Sequence, residues 1–416
     1  MYVFIPAMLL LMYRKGMDLE ILLGFFFILT MSDSRLSQLA FAASFKNIYI
    51  LIIALISLKE MRALEFPIGF YKYFVAFIVV AIVCVIFSPT MGLAFQKTVS
   101  YILLLVSVPN YFLFVYKKYG SLLFKAIIFF ISLLLLLGLI YNYVDPQVTT
   151  LVGRFRGFLG NPNGLGLFTF LAIMFFATLN EHYKNMFTRN EKIIVYGLTF
   201  FCLLKCGARG SLVATLLFFF FKKFYKLSPV LGFIIFILTI FVYQIVSENL
   251  IDIIVAFGLG DELRVETLEN GSGRIIAWKF AWQHIQDNFY IGSGFSYTEY
   301  LFRQNYEYLS KLGHQGAAHN AYLTIWLDTG LVGLVAFSGG LMVTFFKASK
   351  YSKLAIPILY AILFSNYYES WITASLNPFT IQLLFTLTII FMLDAKYDSE
   401  SDAKEEKEIL TPSPIP

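Results

Sequence analysis

Thirteen apolar runs follow one another along this chain, and one long polar stretch, Asn249 to Ala318, interrupts them. Ten precede the polar stretch: Tyr2–Met12, Leu19–Met31, Leu36–Leu58, Ile68–Phe87, Val99–Tyr116, Leu122–Val144, Gly164–Leu179, Ile193–Leu204, Ser211–Phe221 and Pro229–Val246. Three follow it: Ala321–Phe346, Leu354–Tyr367 and Pro378–Leu393. A helix needs about 20 apolar residues to cross the hydrocarbon core, and several of these runs are short. The expected fold is therefore an all-α, polytopic membrane helix bundle of about 11–13 spans with one large outward-facing loop. Composition agrees. Only 14% of residues are charged and 59% are hydrophobic, against about 25% charged in a soluble domain. The net charge of +6 sits in short loops between apolar runs, which argues against a nucleic-acid partner and for the lipid bilayer. Tyr2–Met12 has no basic residue before it and no small-residue cleavage site after it, so it does not read as a signal peptide.

Orientation follows from the basic loops, which stay preferentially cytoplasmic. One alternating set holds most of the 32 Lys and Arg: Arg14-Lys15, Lys59/Arg62/Lys72, Lys117/Lys118/Lys125, Lys184/Arg189/Lys192, Lys222/Lys223/Lys226, Lys347/Lys350/Lys353 and Lys396/Lys404/Lys407. The polar stretch then faces outward and the C-terminus inward. Three regions are expected: an N-terminal transmembrane bundle (1–150), a core containing the loop 249–318 (151–393), and a charge-dense tail (394–416) too polar to bury a core and so disordered. The three cysteines show no disulfide framework; Cys202 and Cys206 are at helix spacing and do not form a metal knuckle.

Four outward elements carry residues suited to chemistry. The first, from Arg154 through Arg156, Gly157, Gly160, Asn161, Pro162 and Asn163 to Gly164, reads as a turn and helix start, and its two arginines can surround an anion. The second, Lys205-Cys206-Gly207-Ala208-Arg209-Gly210-Ser211, places Arg209 against the positive-inside bias, where a lipid-linked diphosphate would compensate it through paired hydrogen bonds. The third runs from Gly271 through Arg274, Trp278, Trp282 and His284 to Ile285. Ile275, Trp278, Trp282 and Ile285 share a helical face suited to the bilayer interface, and Arg274 lies in a first turn that attracts anions. Asn270-Gly271-Ser272 also fits a short glycosylation sequon. The fourth begins at His319-Asn320 and includes Asp328 deep in an apolar run, where an ionisable group is by default a functional-site hypothesis. His319 is the natural general base near neutral pH. His314 and His319, five apart, are poorly spaced for a metal on one helix face. No Walker loop, Rossmann fingerprint or nucleophile elbow stands on the outward side, so an activated substrate already in the membrane must supply the energy.

In order and spacing these elements resemble the O-antigen ligase/polymerase (Wzy) superfamily of bacterial membrane glycosyltransferases. The motifs are RGFLGNPNGLG from Arg156, ARGS from Ala208, GSGRIIAW from Gly271 and HNAYLTIWLDTGLVG from His319. The resemblance implies a GT-C-like, inverting, metal-independent enzyme without a cofactor, in the bacterial cytoplasmic (inner) membrane, with its site facing outward. Its partners would be an undecaprenyl-diphosphate-linked oligosaccharide and, in the same pathway, a flippase and a chain-length regulator. By the same analogy His319 would activate the acceptor hydroxyl, and Arg209 and Arg274 would bind the donor diphosphate. Arg154, Arg156, Asn161, Asn163, Asn320, Trp278 and Trp282 would bind the rest of the substrate. Repeat-unit polymerase is the favoured activity. O-antigen ligase is the alternative, ahead of a protein O-oligosaccharyltransferase, which the lack of an appended soluble C-terminal domain disfavours. A flippase of the lipid-linked glycan would need more charge within the spans.

Overall fold

A computed structural model describes residues 4–34, 39–62, 64, 67–224, 229–248, 273–314, 316–374 and 376–410. The first part of the polar stretch, including the sequon and the Gly271-Ser272 start of the third element, lies outside the described residues. The N-terminal helices are α1 (Phe4–Arg14), α2 (Asp18–Ser32), α3 (Phe41–Met61), α4 (Val75–Val85), α5 (Met91–Tyr119) and α6 (Ser121–Val144). A two-stranded hairpin, β1 (Thr150–Leu151) and β2 (Arg154–Phe155), leads into α7 (Pro162–His182), α8 (Arg189–Lys205), α9 (Arg209–Lys223) and α10 (Pro229–Glu248). The polar stretch contributes α11 (Arg274–Asp287), α12 (Tyr297–Gln304) and α13 (Tyr306–Lys311). The bundle closes with α14 (Ala321–Ala348), α15 (Ala355–Tyr368) and α16 (Pro378–Leu410).

The architecture is the all-α membrane bundle expected. Among the described residues five helices (α3, α5, α6, α7 and α14) are long and apolar enough to cross a membrane, and five more apolar segments are shorter. One hydrophobic cluster runs from Leu9 to Met392, so the N-terminal helices share a core with the rest: α2 and α5 pack on α16, and α4 on α14. The helix of α16 continues through Leu410, past Asp394, where the sequence leads one to expect disorder. The run beyond Asp394 is rich in Ala, Glu and Lys, residues of high helix propensity, which offsets its lack of apolar surface.

Helix ends are set locally. Asn161 accepts from the Gly164 amide ahead of Pro162 at the start of α7, and Asn320 accepts from the Leu323 amide at the start of α14. Thr188 and Glu191 form a reciprocal capping box on α8. The expected basic loops meet at one end of the bundle. There Lys118 pairs with Asp18, Lys59 reaches Tyr13, and His182 Nε2 lies 2.8 Å from Ser352 Oγ beside the Lys353–Glu181 pair. The four motif-bearing elements meet at the other end. α7 joins the two ends and is the most buried of the five spans.

One helix is broken on purpose. Gly330 within α14 takes φ 70°, ψ −178°, and the segment after α11 fills the break. The amides of Ser293 and Gly294 bond to the carbonyls of Leu327 and Asp328, and the amides of Leu331 and Val332 to those of Phe289 and Tyr290. A Cβ at position 330 would collide with the Tyr290 carbonyl, which accounts for the glycine. Asp328, fully buried, accepts from the Ser296 amide (2.8 Å), the Thr298 amide (2.8 Å) and the Thr298 hydroxyl (2.7 Å). Its position suggested a functional group; its contacts make it the anchor that ties the polar stretch to α14.

Candidate active site

The hairpin positions the first arginine. Its turn, Val152-Gly153, has both residues at positive φ, and strand alternation sends Arg154 and Phe155 to opposite faces. Phe155 is buried, and the Lys205 ammonium stands 4.9 Å from its ring centroid. Arg154 reaches across to the α8–α9 turn, donating to the carbonyls of Cys206 (3.1 Å) and Gly207 (2.9 Å) and to Asn163 Oδ1 (3.0 Å). Asn163 passes the connection on: its amide donates to Glu369 Oε1 at 2.9 Å.

Glu369 is the hub. It follows the last residue of α15, and its side chain is 17% exposed. Besides Asn163, it accepts from Arg274 Nη2 at Oε1 (2.9 Å) and pairs through Oε2 with His319 Nδ1 (3.0 Å). Burial pushes its carboxyl up in pKa, but the His319 bond and charge, the Arg274 guanidinium and the Asn163 bond outweigh it and hold the group below the ordinary range. The group is therefore a carboxylate at neutral pH, and a carboxylate only accepts. The proton of this contact then belongs to His319 Nδ1, so Nε2 is the ring nitrogen placed to take up a further proton. His319 itself sits at φ 46°, a left-handed backbone conformation costly for a non-glycine residue.

The cations cluster around this carboxylate. Arg274 stands 5.8 Å from the Tyr368 ring, in a cation–π position. Arg209, the first residue of α9, is exposed, with no hydrogen bond or ion pair among the described residues. Arg209 and Arg274 both act electrostatically on Arg154, whose guanidinium is depressed first by burial and then by them. Both act also on Tyr243 of α10, which meets Tyr368 edge to face at 4.8 Å. Arg274 is thus bonded to the Glu369 carboxylate, Arg154 feels the charge of both, and Arg209 adds a further positive charge beside Arg154. Excess positive charge, partly shielded from water, is a setting for a polyanion. Among the described residues no group of three or more His, Cys, Asp or Glu is placed to hold a metal ion.

The remaining expected residues shape the site. Arg156 is buried and donates to the carbonyls of Val148 and Gly160, fixing the loop ahead of α7. Asn161 and Asn320 cap helices through their Oδ1 atoms. Trp278 donates from its indole to the Ala318 carbonyl (3.0 Å), and its ring meets Tyr367 at 5.2 Å. Trp282, 45% exposed, packs edge-on against Trp326, away from the hub. Of the helical face expected to lie on the bilayer, Ile275 and Trp282 are exposed, whereas Ile285 is buried with Ala277, Phe280 and Ala281. His314 is buried beside His319, and burial, then His319, holds its imidazole below the ordinary range. Glu369 was missed by the sequence reading. Its signal was an acid leaving the apolar run Leu354–Tyr367 on the same side as the four motifs.

The site and the basic end of the bundle stand about one membrane-spanning helix apart. Along α7, Asn163 marks the hub and His182 the opposite, basic end. At 1.5 Å per residue that separation is about 28 Å, close to the hydrocarbon thickness of about 30 Å. Residues 194–338 match the protein family described as O-antigen ligase (Wzy_C). The matched stretch contains Arg209, Arg274, His319 and Asp328, while Arg154, Asn163 and Glu369 lie outside it. No curated protein matches the chain.

Proposed function

Taking as premise that residues 194–338 place this chain in the O-antigen polymerase/ligase superfamily, we propose that it polymerises lipid-linked repeat units. In this reading it transfers an undecaprenyl-diphosphate-linked glycan to the acceptor sugar of another lipid-linked unit, at the outer face of a bacterial cytoplasmic membrane. The observation that carries the reading is the single carboxylate, Glu369, bonded at once to Arg274, His319 and Asn163. It fixes a base and an anion-binding arginine side by side. Polymerase is preferred over ligase because polymerases are the most numerous and sequence-diverse members of the superfamily. The family description, O-antigen ligase, keeps transfer to lipid A-core as the second reading.

The chemistry follows from the residues. The donor diphosphate lies among Arg209, Arg274 and Arg154, with Arg274 turning from Glu369 toward the incoming anion. The acceptor hydroxyl gives its proton to His319 Nε2 as its oxygen attacks the anomeric carbon. The bond from that carbon to the diphosphate oxygen breaks, with inversion, and the diphosphate leaves carrying the electron pair. Glu369 stabilises the imidazolium through Nδ1–H, and the guanidinium groups stabilise charge growing on the leaving group. No step draws on a cofactor. The basic end of the bundle is then cytoplasmic, by the positive-inside rule.

The test compares surface glycans of cells with and without the chain, separating carrier-linked from transferred material by size. Single repeat units without a ladder in its absence mean polymerase. A full ladder still on undecaprenyl diphosphate means ligase. An unchanged profile, or a ladder of normal length from the His319→Ala protein, removes the catalytic assignment.

A further inference from the structure

The base stands on a loop that is braced ring by ring. Between α13 and α14 the backbone passes through positive φ at Gly313 (86°), Gly316 (123°) and His319 (46°). Two successive carbonyls of this loop accept from ring N–H groups: Ala317 from His314 Nε2 (3.1 Å) and Ala318 from Trp278 Nε1 (3.0 Å). A carbonyl only accepts, so Nε2 of His314 carries a proton. His314 is 2% exposed, its own amide bonds to the Leu309 carbonyl, and its ring meets Phe302 (6.0 Å) and His319 (6.2 Å) edge to face. On its other side is Gly273, at φ 61°. A Cβ there would lie 3.0 Å from His314 Nδ1 and 2.9 Å from the Gly313 carbonyl. The residue ahead of Arg274 therefore abuts the same imidazole that braces the loop of His319.

We propose that His314 is a positioning residue for the transfer reaction: through the Ala317 carbonyl it holds the left-handed backbone of His319, and through Gly273 the start of the helix bearing Arg274. One buried ring thus sets the register between the base and an anion-binding arginine. Its role is mechanical and directional, and Trp278 is the second brace of the same loop. The inference rests on the reading of His319 as base.

The experiment uses the full chain in lipid nanodiscs with a lipid-diphosphate-linked repeat unit as substrate. His314→Phe fills the space without the N–H, and His314→Gln returns an amide N–H near the place of Nε2. The Phe protein is expected to lose about 10- to 100-fold in kcat, the scale of a misplaced catalytic group, with donor KM within about twofold; the Gln protein recovers most of the rate. Wild-type kcat in the Phe protein, or equal impairment of Phe and Gln, overturns the proposal. If the Phe protein does not fold, Trp278→Phe carries the test. A fall in kcat at constant KM supports the braced loop, and full kcat or a rise in KM alone overturns it. His319→Ala separates the two levels. An active His319→Ala protein sinks the base assignment itself, whereas an inactive one beside a fully active His314→Phe sinks only this inference.

Discussion

Glu369→Gln is a change of one atom with a large expected consequence. Oε1 accepts from both Arg274 and Asn163, while among the described residues Oε2 bonds only to His319. A glutamine has one acceptor oxygen, and the two donors on the first side claim it. The amide NH2 then points at His319 Nδ1, which must accept, so the imidazole proton moves to Nε2 and the base is lost. General-base catalysis contributes about 10²–10⁴-fold, and an orienting acid changed to its amide in a catalytic triad falls at the upper end of that range. The expected fall in kcat is about 10³-fold. Binding changes the other way. A hydrogen bond to a charged group is worth about 1.5–3 kcal/mol, and weakening the hold of the carboxylate on Arg274 by about 1.4 kcal/mol makes the arginine roughly tenfold more available to the diphosphate. Donor KM should therefore fall while kcat collapses. Initial rates on a purified lipid-linked repeat unit, against donor concentration, measure both. An unchanged kcat would refute the tautomer argument, and a raised KM at unchanged kcat would make Glu369 a substrate contact.

Three further outcomes follow from the same geometry. Arg209→Ala should leave the thermal midpoint of unfolding within about 1 °C, because surface substitutions change stability by at most about 0.5 kcal/mol, yet raise donor KM at least about tenfold; a loss of stability in a melting curve would mean that the side chain is structural. Asp328→Ala removes the acceptor of three buried donors and should destabilise by several kcal/mol, at about 1–3 kcal/mol per orphaned group, seen as a lowered melting temperature; an unchanged melt sinks the anchor. Acid should act through Glu369. Its folded pKa is depressed, so its contribution is fully present above the ordinary glutamate value of about 4.3 and is lost as pH falls through the lower folded value. Melting curves from pH 7 to 3 should show that loss in the wild type and less of it in Glu369→Gln; equal losses refute it.

Much of the fold was legible because its determinants are local. Apolar runs set the helices, Asn161-Pro162 and Asn320 start two of them, and the basic residues gather at one end. Past Asp394, where the sequence leads one to expect a disordered tail, α16 runs on to Leu410 through Glu, Lys and Ala, residues of high helix propensity.

The site was legible only as separate pieces. Arg154, Arg209, Arg274 and His319 were chosen because each is anomalous where it stands: a cation against the charge bias, or a titratable group at a helix start. Glu369 is not anomalous in that sense, since an acid at the exit of a span offends no rule. Its meaning comes from its partners, Asn163, Arg274 and His319, which are 206, 95 and 50 residues away in sequence. The same holds in reverse for Asp328. Its place in an apolar run suggested chemistry, but Ser296 and Thr298, which consume its oxygens, lie in a polar stretch whose path no local pattern predicts. A charged residue in such a chain is therefore assigned by what shares its charge: where the partners are backbone amides of one segment, it is an anchor, and where they are a base and a guanidinium from different helices, it organises a reaction.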